Sequence, residues 1–275
     1  MREIAYAKIN LALHVRERRP DGYHRIETLF AFAEDGDVLT VSEADDLRLE
    51  VGGPFAGALT GENLVLRAAA ALRERFGVAR GALLRLDKRL PVAAGIGGGS
   101  ADAAAALRLL GRWWGLEAAE QELLEIAAAL GADVPACLLS RTARGTGRGD
   151  DLVPLDDPDA RRLPLLLVNP RVPVATGPVF AGWDRVDRGP LEGRTALASA
   201  LAGRNDLEAP ALALAPAIGE VLGEIDAMDD VLLGRMSGSG GTCFALFRTE
   251  VDRDRASEQL SARRPDWWQL STRLR

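Results

Sequence analysis

The chain of 275 residues carries only two cysteines, Cys137 and Cys243. That is too few for a disulfide framework of the secreted kind, and both are expected to pack in a core within a reducing compartment. No stretch approaches the roughly 18 uninterrupted apolar residues that a membrane span requires. A basic excess is missing too. The 34 Lys and Arg residues stand against 40 Asp and Glu, a net charge of -6, which excludes the footprint of a general nucleic-acid binder. An anionic small substrate stays admissible, because backbone N–H groups and single side chains bind phosphate locally. Lysine is nearly absent: Lys8 and Lys88 alone break an otherwise all-arginine set. A compact ammonium does a different job from a planar guanidinium, and a crowded phosphate site is one place to keep it. Met1-Arg2-Glu3-Ile4 runs directly into strand-like sequence, so no targeting segment is expected. A cytoplasmic protein with no membrane or nucleic-acid partner, a monomer or weak homodimer, is expected.

What is present mixes strand and helix periods. Ile4, Tyr6, Lys8 and Asn10 alternate with Ala5, Ala7, Ile9 and Leu11, a strand that continues to Val15. Arg19-Pro20-Asp21-Gly22 is a turn signal. Extended character resumes over 25–41, with Asp35-Gly36 reading as a second turn. A strand is expected over 47–51, a helix over 62–76, and a strand over 83–90 stopped by Pro91. Helices are expected over 101–113 and 118–130, the second ended by Gly131. Past Asp156-Asp157-Pro158-Asp159 come a strand over 163–168, a helix over 206–228 interrupted by Pro210 and Pro216, and two strands within 231–247. Residues 177–203 read as a mobile loop region. The order is not regularly alternating, which predicts an α+β architecture. The expected domains are 1–155, binding nucleotide, and 156–275, contributing to substrate binding.

The densest signal is Leu90-Pro91-Val92-Ala93-Ala94-Gly95-Ile96-Gly97-Gly98-Gly99-Ser100-Ala101-Asp102. Its glycines remove side chains where something must approach the backbone, and a helix follows at once with unpaired N–H groups and a positive dipole end. Together these make a phosphate cradle. A flexible turn before a helix is the bland alternative. A Walker A loop would need a lysine that is missing here, and the dinucleotide fingerprint fails at Ser100.

Residues 91–101 resemble the phosphate-binding loop of the GHMP kinases. The resemblance extends to Ala5-Tyr6-Ala7-Lys8-Ile9-Asn10-Leu11 and to Met236-Ser237-Gly238-Ser239-Gly240-Gly241, in the same order along the chain. It implies a two-lobed fold, a nucleotide-binding N-terminal lobe and a C-terminal lobe with the active site between them. It also implies that Pro91, Val92, Ala93, Ala94, Gly95, Ile96, Gly97, Gly98, Gly99, Ser100 and Ala101 bind ATP, with Mg²⁺ as cofactor. Asp21-Gly22-Tyr23-His24, Leu130-Gly131-Ala132-Asp133-Val134-Pro135, Asn169-Pro170 and Asn205-Asp206-Leu207-Glu208 resemble members acting on a cytidine-diphosphate-linked methylerythritol. Those members phosphorylate its 2-hydroxyl in non-mevalonate isoprenoid precursor biosynthesis.

Phosphoryl transfer needs the γ-phosphate held, its charge offset and the attacking hydroxyl aligned and deprotonated. Asp133 is the candidate base and Lys8 the candidate cation, the roles that the resemblance also gives them. Locally, Asp133 reads equally as a helix N-cap and Lys8 as a solvated strand lysine. By the resemblance, Tyr23 stacks on cytosine, His24 reads its edge and Phe180 covers the opposite face. Packing of the turn and of the core are the plain alternatives. Asn10, on the strand face of Lys8, is a candidate for the substrate's polar groups. Ser100 suits a phosphate or Mg²⁺ contact or an N-cap, and Lys88 either a phosphate contact or an exposed strand position. The C-terminal glycine motif is expected to brace the loop. Ala101 and Ala136 depart from the residues common in the family, and no carboxylate set for a metal can be picked out. The rival readings are another kinase of this family, acting on homoserine, mevalonate or a sugar, and a catalytically inactive nucleotide-binding regulator.

Overall fold

The computed structural model describes residues 1–59 and 61–275. The chain divides into two compact units. One comprises Met1–Ala7, Asp35–Val92 and Gly97–Ser140, and the other Lys8–Glu34, Ala93–Ile96 and Arg141–Arg275. The long strands β1 (Arg2–Arg18) and β2 (His24–Ser42) contribute residues to both.

In the first unit, β3 (Leu47–Gly52) lies parallel to β4 (Ala82–Asp87). β4 in turn runs antiparallel to the later half of β2, with Val38 opposite Asp87. Four helices complete it: α1 (Leu64–Arg75), α2 (Gly98–Trp114), α3 (Glu120–Leu130) and α4 (Val134–Leu139). Asn63 caps α1 by accepting the Val65 N–H, and Val65, Ala68, Ala69 and Leu72 form its buried stripe. α1 packs against α2, whose buried Ala101 and Ala103 to Ala106 combine strong helix propensity with little bulk. α2 starts earlier than the sequence suggests, taking in Gly98, Gly99 and Ser100.

One expected turn is not there. β2 runs straight through Asp35-Gly36. A Cβ at Gly36 would lie 1.9 Å from the Ala5 carbonyl oxygen, so the glycine admits a neighbouring strand instead of reversing the chain.

In the second unit, the first half of β2 pairs with β5 (Ala143–Thr146), which pairs with β6 (Asp151–Pro154). A separate antiparallel sheet joins β7 (Pro164–Asn169), β8 (Val231–Met236), β9 (Cys243–Phe247) and β10 (Trp268–Arg273) in the order β10-β7-β9-β8. β7 and β9 are buried along their whole length, so they read as continuous apolar runs without alternation. The remaining helices are α5 (Thr176–Ala181), α6 (Ala196–Ala202), α7 (Glu208–Leu214), α8 (Ala217–Asp226) and α9 (Glu250–Arg263). The interrupted helix expected over 206–228 is thus α7 and α8, divided at Pro216, which stands at the N-cap of α8. Pro210 fits in the first turn of α7, where its missing N–H costs nothing. Residues 177–203 are more than a loop: they contain most of α5 and all of α6, and they bury Trp183 and Leu191.

Candidate active site

The glycine loop is held by its carbonyl groups. Ala93 O accepts from Val174 N at 3.4 Å, Ala94 O from Thr242 N at 3.0 Å, Gly95 O from Ser237 Oγ at 3.0 Å, and Ile96 O from Lys8 N at 3.1 Å. Four consecutive acceptors are engaged by protein donors, so this stretch does not offer its carbonyl dipoles to an anion. Gly95, at φ +72°, is required twice over: a Cβ there would lie 2.5 Å from Ser237 O and 2.6 Å from Gly240 O.

The loop ends at Gly97, the N-cap of α2, where no side chain caps the helix. The first-turn N–H groups at 98–100 have no intrahelical acceptor, and the positive end of a 17-residue helix lies behind them. Such a helix start is suited to an anion such as phosphate. Ser100 is the third residue of α2, so its N-cap reading is replaced by Gly97.

The C-terminal glycine motif does brace the loop. Besides the Ser237 and Thr242 bonds, Asn169 Nδ2 donates to Thr242 Oγ1 at 2.9 Å. Asn205 Nδ2 bridges the carbonyls of Met236 and Gly238 at 2.8 Å each. The Asn169-Pro170 and Asn205-Asp206 signatures therefore include a structural function.

Lys8 is buried, not solvated. Its Nζ donates to Asn10 Oδ1 at 2.9 Å and lies 5.3 Å from the centre of the Phe30 ring. Asn10 Nδ2 donates to Thr28 Oγ1 at 2.7 Å, and that hydroxyl donates to Ala12 O at 2.7 Å. This chain fixes the Asn10 amide and with it the ammonium. The Asn10 backbone N–H donates to Ser237 Oγ at 3.1 Å, so one hydroxyl serves both the Lys8 strand and the loop.

In the other unit, Asp133 occupies the N-cap position of α4, with Pro135 in the first turn, yet its side chain makes no cap bond. Position and chemistry separate here: the residue starts the helix without its carboxylate being used to do so. Arg108 of α2 holds α4 at the opposite end, donating to Cys137 O at 2.7 Å and Leu138 O at 3.2 Å. Ala136 is buried beside it.

A third cluster surrounds the turn between β1 and β2. The His24 ring lies 5.1 Å from Phe180 and 5.8 Å from Trp183, edge-on to the latter. Burial, with help from Arg18, holds the His24 imidazole below its ordinary range, which favours the neutral form with its one donor and one acceptor. Tyr23 is 53% exposed, with the Arg148 guanidinium 5.2 Å from its ring centre. The structure thus sets His24 directly against Phe180, and adds Trp183 and Arg148, which sequence reading left out. Phe180 and Trp183 lie three apart in sequence, the one signal that could have paired them. Arg148-Gly149-Asp150 gave no such signal; here Arg148 is oriented by Asp150 Oδ2 at 2.6 and 2.9 Å.

The chain matches two family models, GHMP kinases N terminal domain over residues 63–141 and GHMP kinases C terminal over 191–266. It is 62% identical over 277 residues to a 4-diphosphocytidyl-2-C-methyl-D-erythritol kinase of Rhizorhabdus wittichii, covering 99% of this chain and 94% of that one. The chain belongs to the GHMP kinases. A second 4-diphosphocytidyl-2-C-methyl-D-erythritol kinase, from Sphingopyxis alaskensis, is 52% identical over 100% of this chain and 99% of its own. A crystal structure of 4-(cytidine 5'-diphospho)-2C-methyl-D-erythritol kinase superposes with a TM-score of 0.81 at 36% identity, covering 100% of this chain and 99% of that one. Homoserine kinase from Cytophaga hutchinsonii shares the fold at 17% identity and a TM-score of 0.67, covering 98% and 95%. As a GHMP kinase the chain is an ATP-dependent small-molecule kinase with the α+β fold of that family. No helix among the described residues is long and apolar enough to cross a membrane.

Proposed function

We propose that this kinase transfers the γ-phosphoryl group of ATP to the 2-hydroxyl of 4-diphosphocytidyl-2-C-methyl-D-erythritol. The observation that carries the substrate assignment is the ring cluster at His24. A neutral imidazole held by Phe180 and Trp183, next to an exposed Tyr23, offers edge-reading groups and a stacking face for a base. Base–aromatic stacking contributes about 1–3 kcal/mol, and a site built to bond one base edge rejects others by leaving polar atoms unpaired. The full-length similarity to kinases of that name supports the same reading.

In the proposed reaction the 93–96 stretch and the α2 N-terminus hold the triphosphate. Asp133 accepts the proton of the 2-hydroxyl as its oxygen bonds to the γ-phosphorus. The bond from that phosphorus to the bridging oxygen breaks, and ADP departs. Lys8, fixed by Asn10, supplies positive charge to the transferring group. The N-terminal part of the chain, 1–155, binds the nucleotide, and 156–275 contributes Phe180 to the substrate. Mg²⁺ bound to the nucleotide would supply charge that offsets the phosphates. Among the described residues no group of three or more His, Cys, Asp or Glu is placed to hold a metal. The protein is expected to work in the cytoplasm as a monomer or weak homodimer.

The test is ADP release with each candidate acceptor. The cytidine-diphosphate-linked methylerythritol is expected to be turned over, and free cytidine diphosphate to compete with it. Turnover of homoserine or mevalonate with no response to cytidine nucleotides would replace this reading by another kinase of the family. Absence of turnover with every acceptor would favour a regulator.

A further inference from the structure

Lys88 has no assigned part in the reaction, and its surface-strand reading does not hold: its side chain is 1% exposed. Its Nζ donates to Asp37 Oδ2 at 2.5 Å and to Asp102 Oδ2 at 2.7 Å. Asp37 Oδ1 accepts from the backbone N–H groups of Arg89 at 2.6 Å and Leu90 at 2.8 Å. A Cβ built at Gly98 would lie 3.0 Å from Lys88 Nζ. Asp102 Oδ1 is buried with no hydrogen-bond partner among the described residues.

Two carboxylates share one ammonium away from water, and such clusters can often be replaced by well-packed apolar residues with no loss of stability. Stability therefore gives little reason to keep this one. Its connections give a better reason. Asp37 grips the two residues that lead into the glycine loop. Lys88 reaches past the loop to the start of α2, lying against Gly98 and bonding Asp102. The loop's two ends, 89–90 and 98–102, are tied to one ion cluster. Anion binding by backbone N–H groups depends on positions held to about 0.5 Å.

We infer that Lys88, Asp37 and Asp102 form a clasp that sets the spacing of the glycine loop's ends, making them positioning residues for the ATP triphosphate. The inference rests on the loop being the nucleotide site. Asp102→Ala removes one arm and leaves Lys88 and Asp37 as a matched pair, so the fold is retained. Calorimetric titration with a non-hydrolysable ATP analogue is expected to show roughly 10-fold weaker binding in this variant. KM for ATP rises in step while KM for the acceptor alcohol stays unchanged. Asp102→Asn, whose amide oxygen still accepts from Lys88, restores binding to within about 3-fold of wild type. Should Asp102→Ala fail to fold, Asp102→Leu fills the space without the acceptor and gives the same readout. Wild-type affinity in the alanine or leucine variant, or parallel loss of ATP and acceptor binding, overturns the clasp. If wild type itself does not bind the analogue, it is the nucleotide site that fails.

Discussion

The hydroxyl of Ser237 donates to the carbonyl oxygen of Gly95 at 3.0 Å, binding the C-terminal glycine motif to the glycine loop. The Ser237 hydroxyl oxygen in turn accepts the Asn10 N–H on the Lys8 strand. Ser237→Ala leaves both groups without a partner at a fully buried position. A loss of about 1–3 kcal/mol of stability is expected, from the cost of a buried unpaired polar group. Denaturant unfolding measures it, and steady-state kinetics should show a raised KM for ATP. An unchanged midpoint would mean the bond contributes nothing.

Tyr23→Ala tests the base-reading cluster. Loss of a stacking face is expected to raise KM for the cytidine-linked substrate about 10- to 100-fold, following the ~1–3 kcal/mol of base stacking. KM for ATP should not move. Kinetics with each substrate varied in turn decide this, and a rise in the ATP value instead would place the nucleotide at Tyr23.

The unequal legibility of these sites has a physical basis. Gly95 and Gly97 are visible because a cradle for phosphate demands bare backbone before a helix, and that demand is local in sequence, whereas Lys8 stands out by the scarcity of lysine and Ser237 only by the family resemblance. Helix and strand periods gave most elements, since Leu64, Ala68 and Leu72 follow one face whatever lies opposite. The partners of Lys88 were hidden. Nothing local tells that Asp37 and Asp102 converge on it, and Asp35-Gly36 had the composition of a turn although Gly36 serves a close approach to Ala5. Arg148 against Tyr23 and Trp183 against His24 are likewise products of tertiary packing. Residues 177–203 looked like loop because their short helices are stabilised by burial more than by propensity.

Burial pushes the Asp102 carboxyl up to about 7, with Asp37 adding to the rise and Lys88 opposing it. A carboxyl raised in the folded state and near 3.8 when unfolded binds more protons folded than unfolded between those values. Stability from this group is therefore lost as pH rises through about 7. Asp102→Asn removes the ionisation. Its melting temperature should exceed that of wild type at pH 8 by clearly more than it does near pH 5. Thermal scans at the two values check this; an equal difference at both would dissociate the effect from the Asp102 proton.

The proposed chemistry places the acceptor's proton on Asp133, whose carboxylate makes no cap bond at the start of α4. The most direct measurement is kcat of Asp133→Asn at saturating ATP and cytidine-linked substrate. The account predicts a fall of at least about 10²-fold, the contribution of a positioned general base, with both KM values close to wild type. Turnover within a few-fold of wild type would contradict it.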